Sequence, residues 1–471
     1  MRLFNSLTKQ VEDFTPLEEG KVRMYNCGPT VYKRQHIGNF RAFVFADLLR
    51  RTLEHFGYDV HQIMNITDVG HLTEDDVADA QGEDKLQKEA KRRNLDPWQI
   101  AREAEDTFHE DLKALFIQPA HSYPRATDFV PQMIEMIEEL IAKGHAYEVD
   151  GNVYFALETF PEYGALSGNT IDQLTEGASG RVEDRTDKRS PHDFALWKHD
   201  PKHLMQWDSP WGSGFPGWHI ECSAMSRTLL GDTLDIHTGG PDNKFPHHEC
   251  EIAQSESVTG KTFVNLWMHC GWLEIGGKKM AKRAGKAYTV PELHELDYDG
   301  RDLRYLMLKQ HYRAPLPFTL DLLDEAKSAR KGVNNFVHYL MPERPEGPDQ
   351  PAVADAIAKA REQFDAALRD DLNTSAAFAA MHELMTAVNR AEPGRADAER
   401  VVETMQGFNV VLDILDPAPA AIDDDVEELI AQRNEARANK DFATSDRIRD
   451  DLLARGIELV DTPQGTRWKK T

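Results

Sequence analysis

Cysteine is scarce in this sequence: Cys27, Cys222, Cys250 and Cys270 are the four among 471 residues. Thiols so few and scattered exclude a disulfide framework and leave metal ligation or catalysis in a reducing compartment as their uses. Long apolar runs are lacking as well. No stretch approaches the roughly 18 consecutive apolar residues of a membrane helix. The opening residues, MRLFNSLTKQ, contain no apolar signal segment. The expectation is a cytoplasmic protein with no membrane partner. Positive charge is short too: 55 Lys and Arg stand against 80 Asp and Glu, a net charge of −25. Phosphate affinity comes mostly from cations, so this balance excludes a protein that coats nucleic acid non-specifically. Any nucleic-acid role has to rest on particular segments.

What is present is ordinary globular material, 40% hydrophobic and 29% charged, in a chain too long for one core. Residues 21–26 read as a strand, followed by a Cys-Gly-Pro-Thr turn at 27–30. Phe40, Phe43, Val44, Leu48 and Phe56 recur at helical spacing, Gly57 closes that helix, and 59–65 reads as the next strand. Strand, helix, strand is a βαβ unit, which implies a parallel sheet with a ligand crevice at its carboxyl edge. Residues 74–115 are charged and helical in composition, and 115–205 look like a second α/β module inserted into the first. Sheet-like runs return at 233–238 and 262–270. From 318 onward the pattern is helical, with a Pro-rich loop at 342–351. The tail reads as two helices and two short strands. Arg433, Arg437, Lys440, Arg447, Arg449, Arg467, Lys469 and Lys470 make it the most basic region of an acidic chain.

Two constellations carry chemistry. In Phe245-Pro-His-His-Glu-Cys-Glu251, a helix opened by Pro246 at its first position puts His247 and Glu251 at i and i+4 on one face. That spacing presents two ligands to one metal, although on its own it is more often a solvated helix face. Cys222 lies in Gly217-Trp-His-Ile-Glu-Cys222, and Cys27 falls at the sheet's carboxyl edge. Spacing cannot bring 27, 222 and 247 together; only a fold can. The second constellation is His36-Ile-Gly-Asn39 at the start of the first helix, where free amides and the positive dipole end suit a phosphate and Gly38 permits close approach. Far downstream, Gly276-Gly-Lys-Lys-Met-Ala-Lys-Arg-Ala-Gly285 is a glycine-flanked cluster of cations.

In order along nearly the whole chain, these pieces resemble class I aminoacyl-tRNA synthetases, and among them the cysteinyl-tRNA synthetase family. The resemblance runs through Asn26-Cys-Gly-Pro-Thr-Val-Tyr32, the HIGH-type signature at 36–39 and Asn65-Ile-Thr-Asp68. It continues through Gly217-Trp-His-Ile-Glu-Cys-Ser-Ala-Met225, Phe245-Pro-His-His-Glu, Glu251-Ile-Ala-Gln254, the KMSKS-type loop at 279–283 and Asp461-Thr-Pro-Gln-Gly-Thr-Arg-Trp468. It implies an α/β fold with a parallel Rossmann-like catalytic domain in two halves, 1–114 and 206–285, around an inserted connective module at 115–205. A stem-contact region at 286–317, a tRNA-supporting helical bundle at 318–416, a linker at 417–425 and an anticodon-reading α/β tail at 426–471 would follow.

The same resemblance implies an enzyme that makes cysteinyl-adenylate from L-cysteine and ATP with Mg²⁺, then charges tRNA(Cys); the sequence does not fix the oligomeric state, with a monomer favoured. One Zn²⁺ per chain would be held by Cys27, Cys222, His247 and Glu251. A thiolate is a strong zinc ligand and a hydroxyl or methyl is not, so the metal would select the substrate's sulfur without an editing site. His36 and Asn39 match the ATP signature, with Asp242, in Gly239-Gly-Pro-Asp242, near the adenosine. Lys279 and Lys282 are the loop lysines, Lys282 acting with His36 in catalysis. Thr67, Trp218 and His219 line the amino-acid pocket. Trp207 and Trp211 read, from the residues alone, either as further walls of it or, as aromatic clusters more often are, as plain core. Trp468 would stack on anticodon bases or pin its hairpin. The chain departs from the family in two places. The loop reads Lys279-Met-Ala-Lys-Arg283 where serines are usual, and Cys250 stands where asparagine is usual, offering a softer donor beside Glu251. Two other functions fit parts of the pattern: a ligase joining cysteine to an amino-sugar, and a weakened paralogue acting as a tRNA- or metal-binding regulator.

Overall fold

The computed structural model describes the chain except residues 75–80, 171–187, 281–286, 418–423, 456, 463–464 and 471. An antiparallel ribbon, β1 (Arg2–Asn5) with β2 (Gln10–Asp13), precedes β3 (Lys21–Asn26), α1 (Ile37–His55) and β4 (Asp59–Met64). β3 becomes fully buried over its last three residues, and α1 buries Phe40, Val44, Phe45, Leu48 and Leu49 against the sheet and its neighbours. Gly57 follows the helix at φ +88°, the left-handed position that ends a helix at low steric cost. The βαβ unit is as the periodicity predicts.

The 74–115 stretch is less uniform than its composition suggests. β5 (Leu72–Glu74) pairs antiparallel with β6 (Gln81–Asp84), and only then do α2 (Lys85–Arg93) and α3 (Pro97–Ala114) follow. Asp84 ends the ribbon and caps α2, its carboxylate accepting from the Leu86 and Gln87 amides. The inserted segment contributes α4 (Val130–Ala142) and three strands of a four-stranded antiparallel sheet, whose fourth strand follows the insertion in the chain. The sheet's strands are β7 (Ala146–Val149), β8 (Asn152–Phe155), β9 (Phe194–His199) and, beyond the insertion, β10 (Gly214–Pro216), in spatial order β10-β9-β8-β7. α5 (Trp218–Leu230) leads to β11 (Leu234–Gly239), α6 (Glu249–Thr259) and β12 (Val264–His269). The parallel sheet then reads β12-β11-β3-β4. Met133, Ile137, Phe155, Phe194 and Trp197 of the insertion share one buried apolar cluster with Tyr25, Ile220 and Trp267 of the parallel-sheet segments.

Beyond it, β13 (Leu273–Ile275) pairs with β14 (Lys278–Lys279) and, after α7 (Val290–Glu295) and α8 (Gly300–Lys309), with β15 (Leu316–Pro317). Helices α9 (Leu320–Asn335), α10 (Pro351–Arg369), α11 (Thr374–Ala391) and α12 (Arg395–Leu412) complete a compact unit of residues 1–337 and 341–415. Arg304 on α8 is wholly buried and reaches Asp47 on α1 at 2.6 Å, tying the helical part to the sheet. The second unit takes residues 338–340 and 416–471. In it α13 (Asp424–Ala438) and α14 (Phe442–Ala454) pack with a hairpin of β16 (Ile457–Thr462) and β17 (Gly465–Lys470) around Val426, Ile448, Leu452 and Ile457. Arg433, expected on a basic surface, is buried and donates to the Thr466 hydroxyl at 2.8 Å, because the hairpin closes over α13. Trp468 sits opposite Leu459 in the hairpin register; its side chain lies outside the described residues.

Candidate active site

Cys27 stands one residue beyond β3, between the carboxyl ends of β4 and β11. The connection through α1 leads to one side of β3 and β11 lies on the other, which makes this the switch point where a parallel sheet opens its crevice. The turn is tight. A Cβ on Gly28 would lie 1.7 Å from the Asn65 carbonyl oxygen, so only glycine lets the loop pass. Cys222 comes from α5, and His247 and Glu251 from the turn into α6.

That turn corrects one expectation. Pro246 does not open a regular helix: Lys244–His248 is an irregular turn with Phe245 extended (φ −139°, ψ 133°), and α6 starts at Glu249. The Phe245 ring lies edge-on to Tyr163 of the insertion, with centroids 6.5 Å apart. The pair meets nonetheless, His247 Nε2 lying 3.1 Å from Glu251 Oε1. Cys222 Sγ is 3.3 Å from the same nitrogen, and Cys27 Sγ is 3.8 Å from Glu251 Oε1. One donor atom from each of the four lies within 4.8 Å of the others. Cys250 does not join them. Its sulfur faces the Tyr163 hydroxyl at 3.5 Å, so the softer-donor alternative loses its geometry.

A second donor set overlaps the first: Cys27, His237, His248 and Glu251. His248 Nε2 is 3.2 Å from Cys27 Sγ, and His237 Nε2 is 3.0 Å from Glu251 Oε2. Behind them His248 Nδ1 meets His269 Nε2 at 2.8 Å, and His269 Nδ1 meets Ser6 Oγ at 2.8 Å. Burial pushes both thiols and the Glu251 carboxyl above their ordinary values. It pushes His247 and His248 well below theirs, helped by the neighbouring imidazoles. Uncharged imidazoles offer lone pairs, and a divalent cation among such donors holds thiols and carboxyl in their ionised forms. Two sulfurs, an imidazole and a carboxylate suit zinc.

A cavity of about 330 Å³ joins this cluster to the start of α1. Cys27, Thr30, His71, Lys85 and Trp218 line one end; His36, Asn39, Asp242, Trp272, Lys279 and Met280 line the other. His36 is the residue before α1, with an extended backbone, and no acidic residue stands in the helix's first turn to oppose an anion. Gly38 is crowded: a Cβ there would lie 3.0 Å from the His36 ring and 3.2 Å from Met280. Lys279 Nζ is ion-paired with Asp242 across the cavity mouth. Lys282 and Arg283 lie outside the described residues.

Thr67 and His219 are buried behind the wall rather than on it. Thr67 accepts from Asn65 Nδ2 at 3.1 Å and its backbone holds loop 29–31, while His219 Nδ1 is 3.0 Å from His247 Nδ1. Of the two readings of Trp207 and Trp211, the core reading fits their places: Trp207 packs edge-on to Trp98 of α3, Trp211 beside Trp197 of β9, and both against the buried apolar cluster. Sequence reasoning missed His237, His248, His269, His71, Lys85 and Trp272. His248 had a signal, being the second histidine of Phe245-Pro-His-His-Glu. His71 and Lys85 had none, since the ribbon that pairs them was read as helix.

A family profile described as "tRNA synthetases class I (C) catalytic domain" matches residues 13–328. A DALR domain profile matches 363–416, and a "Cysteinyl-tRNA ligase anticodon binding domain" matches 420–468. The chain is 42% identical over 507 residues to a cysteine–tRNA ligase of Salinibacter ruber, covering all of this chain and 98% of that protein. It is 44% identical over 482 residues to one of Symbiobacterium thermophilum, covering all of this chain and 99% of that protein. Among solved structures, Mycobacterium tuberculosis methionyl-tRNA synthetase with methionyl-adenylate shares the fold. The TM-score is 0.59 at 13% identity, over 84% of this chain and 90% of that one.

Proposed function

This chain belongs to the cysteine–tRNA ligase family, and from that premise we propose how its residues divide the work. The enzyme activates cysteine with ATP and joins it to tRNA(Cys). We assign Cys27, Cys222, His247 and Glu251 as zinc ligands, one ion per chain; the observation that carries this is their convergence within 4.8 Å at the switch point. Zinc, when bound there, supplies a position for the substrate's thiolate that serine and alanine cannot fill.

In our reading the substrate carboxylate attacks the α-phosphorus of ATP in line, pyrophosphate leaves, and the terminal ribose hydroxyl of tRNA then takes the cysteinyl group. Transfer of this kind needs positioning and charge stabilisation rather than a protein nucleophile. His36 and the free amides of α1 meet phosphate oxygens, with Asn39 beside them. Asp242 and Lys279, paired with each other, flank the nucleotide end. Lys282 carries catalytic charge, and Mg²⁺ accompanies ATP. Trp218 walls the amino-acid end, while Thr67 and His219 shape it from behind.

The division of labour follows the boundaries read from the sequence. The catalytic halves are 1–114 and 206–285, and the connective module is 115–205. The stem contact is 286–317, the bundle supporting tRNA is 318–416, the linker is 417–425, and 426–471 reads the anticodon. A cytoplasmic address belongs to the same reading; no described helix is long and apolar enough to cross a membrane. Cysteine-dependent ATP–pyrophosphate exchange with cysteinylation of tRNA(Cys) tests it. Exchange without charging points to an amino-sugar ligase, and no exchange to a binding regulator.

A further inference from the structure

We propose that His71 is a positioning residue for amino-acid selection, holding Trp218, and through it His247, in a column of three stacked rings. His71 lies at the base of the β5/β6 ribbon, where its carbonyl accepts from the Lys85 amide at 3.0 Å. The Lys85 ammonium is 2.8 Å from His71 Nε2. An ammonium only donates, so Nε2 accepts, and the ring's proton sits on Nδ1 and points to the Thr30 hydroxyl oxygen 2.5 Å away. Both ring nitrogens are thereby fixed, and the ring cannot turn. Its face lies on the Trp218 indole with centroids 3.9 Å apart and planes 13° from parallel. The indole in turn lies on the His247 ring at 4.3 Å and 24°. Cys27, Thr30, His71, Lys85 and Trp218 all border the same cavity.

The consequence is geometric. Selection by metal and sulfur needs the ligand imidazole and the wall above it held to fractions of an ångström. His247 is fixed along its edge by Glu251 and His219. Its face is fixed by Trp218, and the indole's orientation depends on the plate it rests against. That plate stands at the base of the ribbon, distant in sequence from Trp218 and His247. The proposal rests on the zinc reading for the role of His247, but its readout does not.

Full-length protein is assayed by ATP–pyrophosphate exchange, with zinc content measured on the same samples. His71→Ala is expected to raise KM for cysteine about five-fold, the middle of the range for one lost aromatic pair. KM for ATP should stay within about two-fold, and zinc content should stay unchanged, since no proposed ligand is removed. His71→Phe, which keeps the plate, should restore KM for cysteine to within about two-fold of the parent. Lys85→Met leaves the ring but removes the donor that orients it, so it should shift the same KM in the same direction and serves if His71→Ala does not fold. An unchanged KM for cysteine in both His71→Ala and Lys85→Met overturns the proposal. So does a parallel rise in KM for ATP, or a His71→Phe as impaired as His71→Ala. A parent enzyme without zinc refutes the metal assignment instead, and leaves this split readable.

Discussion

Two donor sets share Cys27 and Glu251, and removing one unshared donor from each distinguishes them. A tetrahedral zinc with bonds of about 2.0–2.3 Å places its ligand atoms about 3.3–3.7 Å apart. In the first set Cys222 Sγ–His247 Nε2 is 3.3 Å, His247 Nε2–Glu251 Oε1 is 3.1 Å and Cys27 Sγ–Glu251 Oε1 is 3.8 Å. Each needs a movement of only a few tenths of an ångström. In the second, Cys27 Sγ–His248 Nε2 is 3.2 Å and His248 Nε2–Glu251 Oε1 is 3.9 Å. Distance alone therefore does not decide, and chemistry does. The first set brings two thiolates; the second exchanges one for an imidazole. In the first, moreover, His237 is left as the hydrogen-bond partner of Glu251 Oε2, the carboxylate oxygen turned away from His247.

The expected outcomes differ in kind. Cys222→Ala removes a ligand and should abolish stoichiometric zinc. His237→Gln removes only a partner that orients a ligand, and such losses cost about 10- to 100-fold in metal affinity while leaving one site. Zinc content after dialysis, followed by competition with a chromogenic chelator, reads both numbers. Discrimination between cysteine and serine in pyrophosphate exchange should collapse with Cys222→Ala and persist in zinc-saturated His237→Gln. Cys222→Ala that keeps a full equivalent of zinc, with His237→Gln that loses it, refutes the assignment and moves the metal to the second set.

Three further outcomes are expected. Burial pushes the Asp68 carboxyl up to about 6, against the opposing hydrogen bonds from Thr127. Because its folded value lies above its unfolded one, this contribution to stability is complete below about pH 4 and is lost as pH rises through about 6, on the order of 3 kcal/mol. Asp68→Asn cannot ionise, so the stability difference between the two proteins, from urea unfolding, should change across that window; a constant difference refutes the argument. Gly38→Val drives a side chain into the His36 ring and Met280, and should raise KM for ATP on the order of ten-fold or more without moving KM for cysteine. Leu452→Ala cuts into a four-residue buried core at a cost of about 2–5 kcal/mol. It should depress tRNA charging while pyrophosphate exchange continues, as the tail's assigned role requires.

Much of this was legible because local periodicity and a switch point are local facts. The strand before Cys27, the helix closed by Gly57 and the return at β4 follow from spacing within some forty residues. The His247–Glu251 meeting also followed from an i, i+4 count, although the helix that justified it starts later than Pro246 suggested. What could not be read is whatever depends on sequence-distant packing. Composition alone made 81–84 helical, whereas pairing with β5, in an irregular ribbon where Gly82 takes φ +85°, makes it a strand, and that strand sets Lys85 against His71. Arg433 looked like surface charge because sequence cannot show a hairpin folding over it. Cys250 stayed open as a lesser alternative to Glu251 because helical position does not reveal that its sulfur faces the Tyr163 hydroxyl.

The cavity's two ends work under opposite electrical conditions, and that division explains how one enzyme can be both selective and reactive. Cys27, Cys222, His247 and Glu251 are 8%, 1%, 1% and 0% exposed, so a charge among them is felt through little water. On the proposed zinc reading, an unmatched substrate group there would leave a buried donor set unsatisfied, a penalty that would reject serine without hydrolytic correction. Asn39, Asp242 and Lys279 at the other end are exposed. Water screens them, so on the proposed placement of ATP the triphosphate would be held by several weak contacts and pyrophosphate could leave. Burying the nucleotide end as deeply would slow release, and exposing the sulfur end would let water compete for the metal. A substitution that opens the sulfur end, such as Trp218→Ala, should therefore lose selectivity before it loses rate. Its cysteine-over-serine ratio should fall while kcat with saturating cysteine stays near the parent value; an equal fall in both refutes this division.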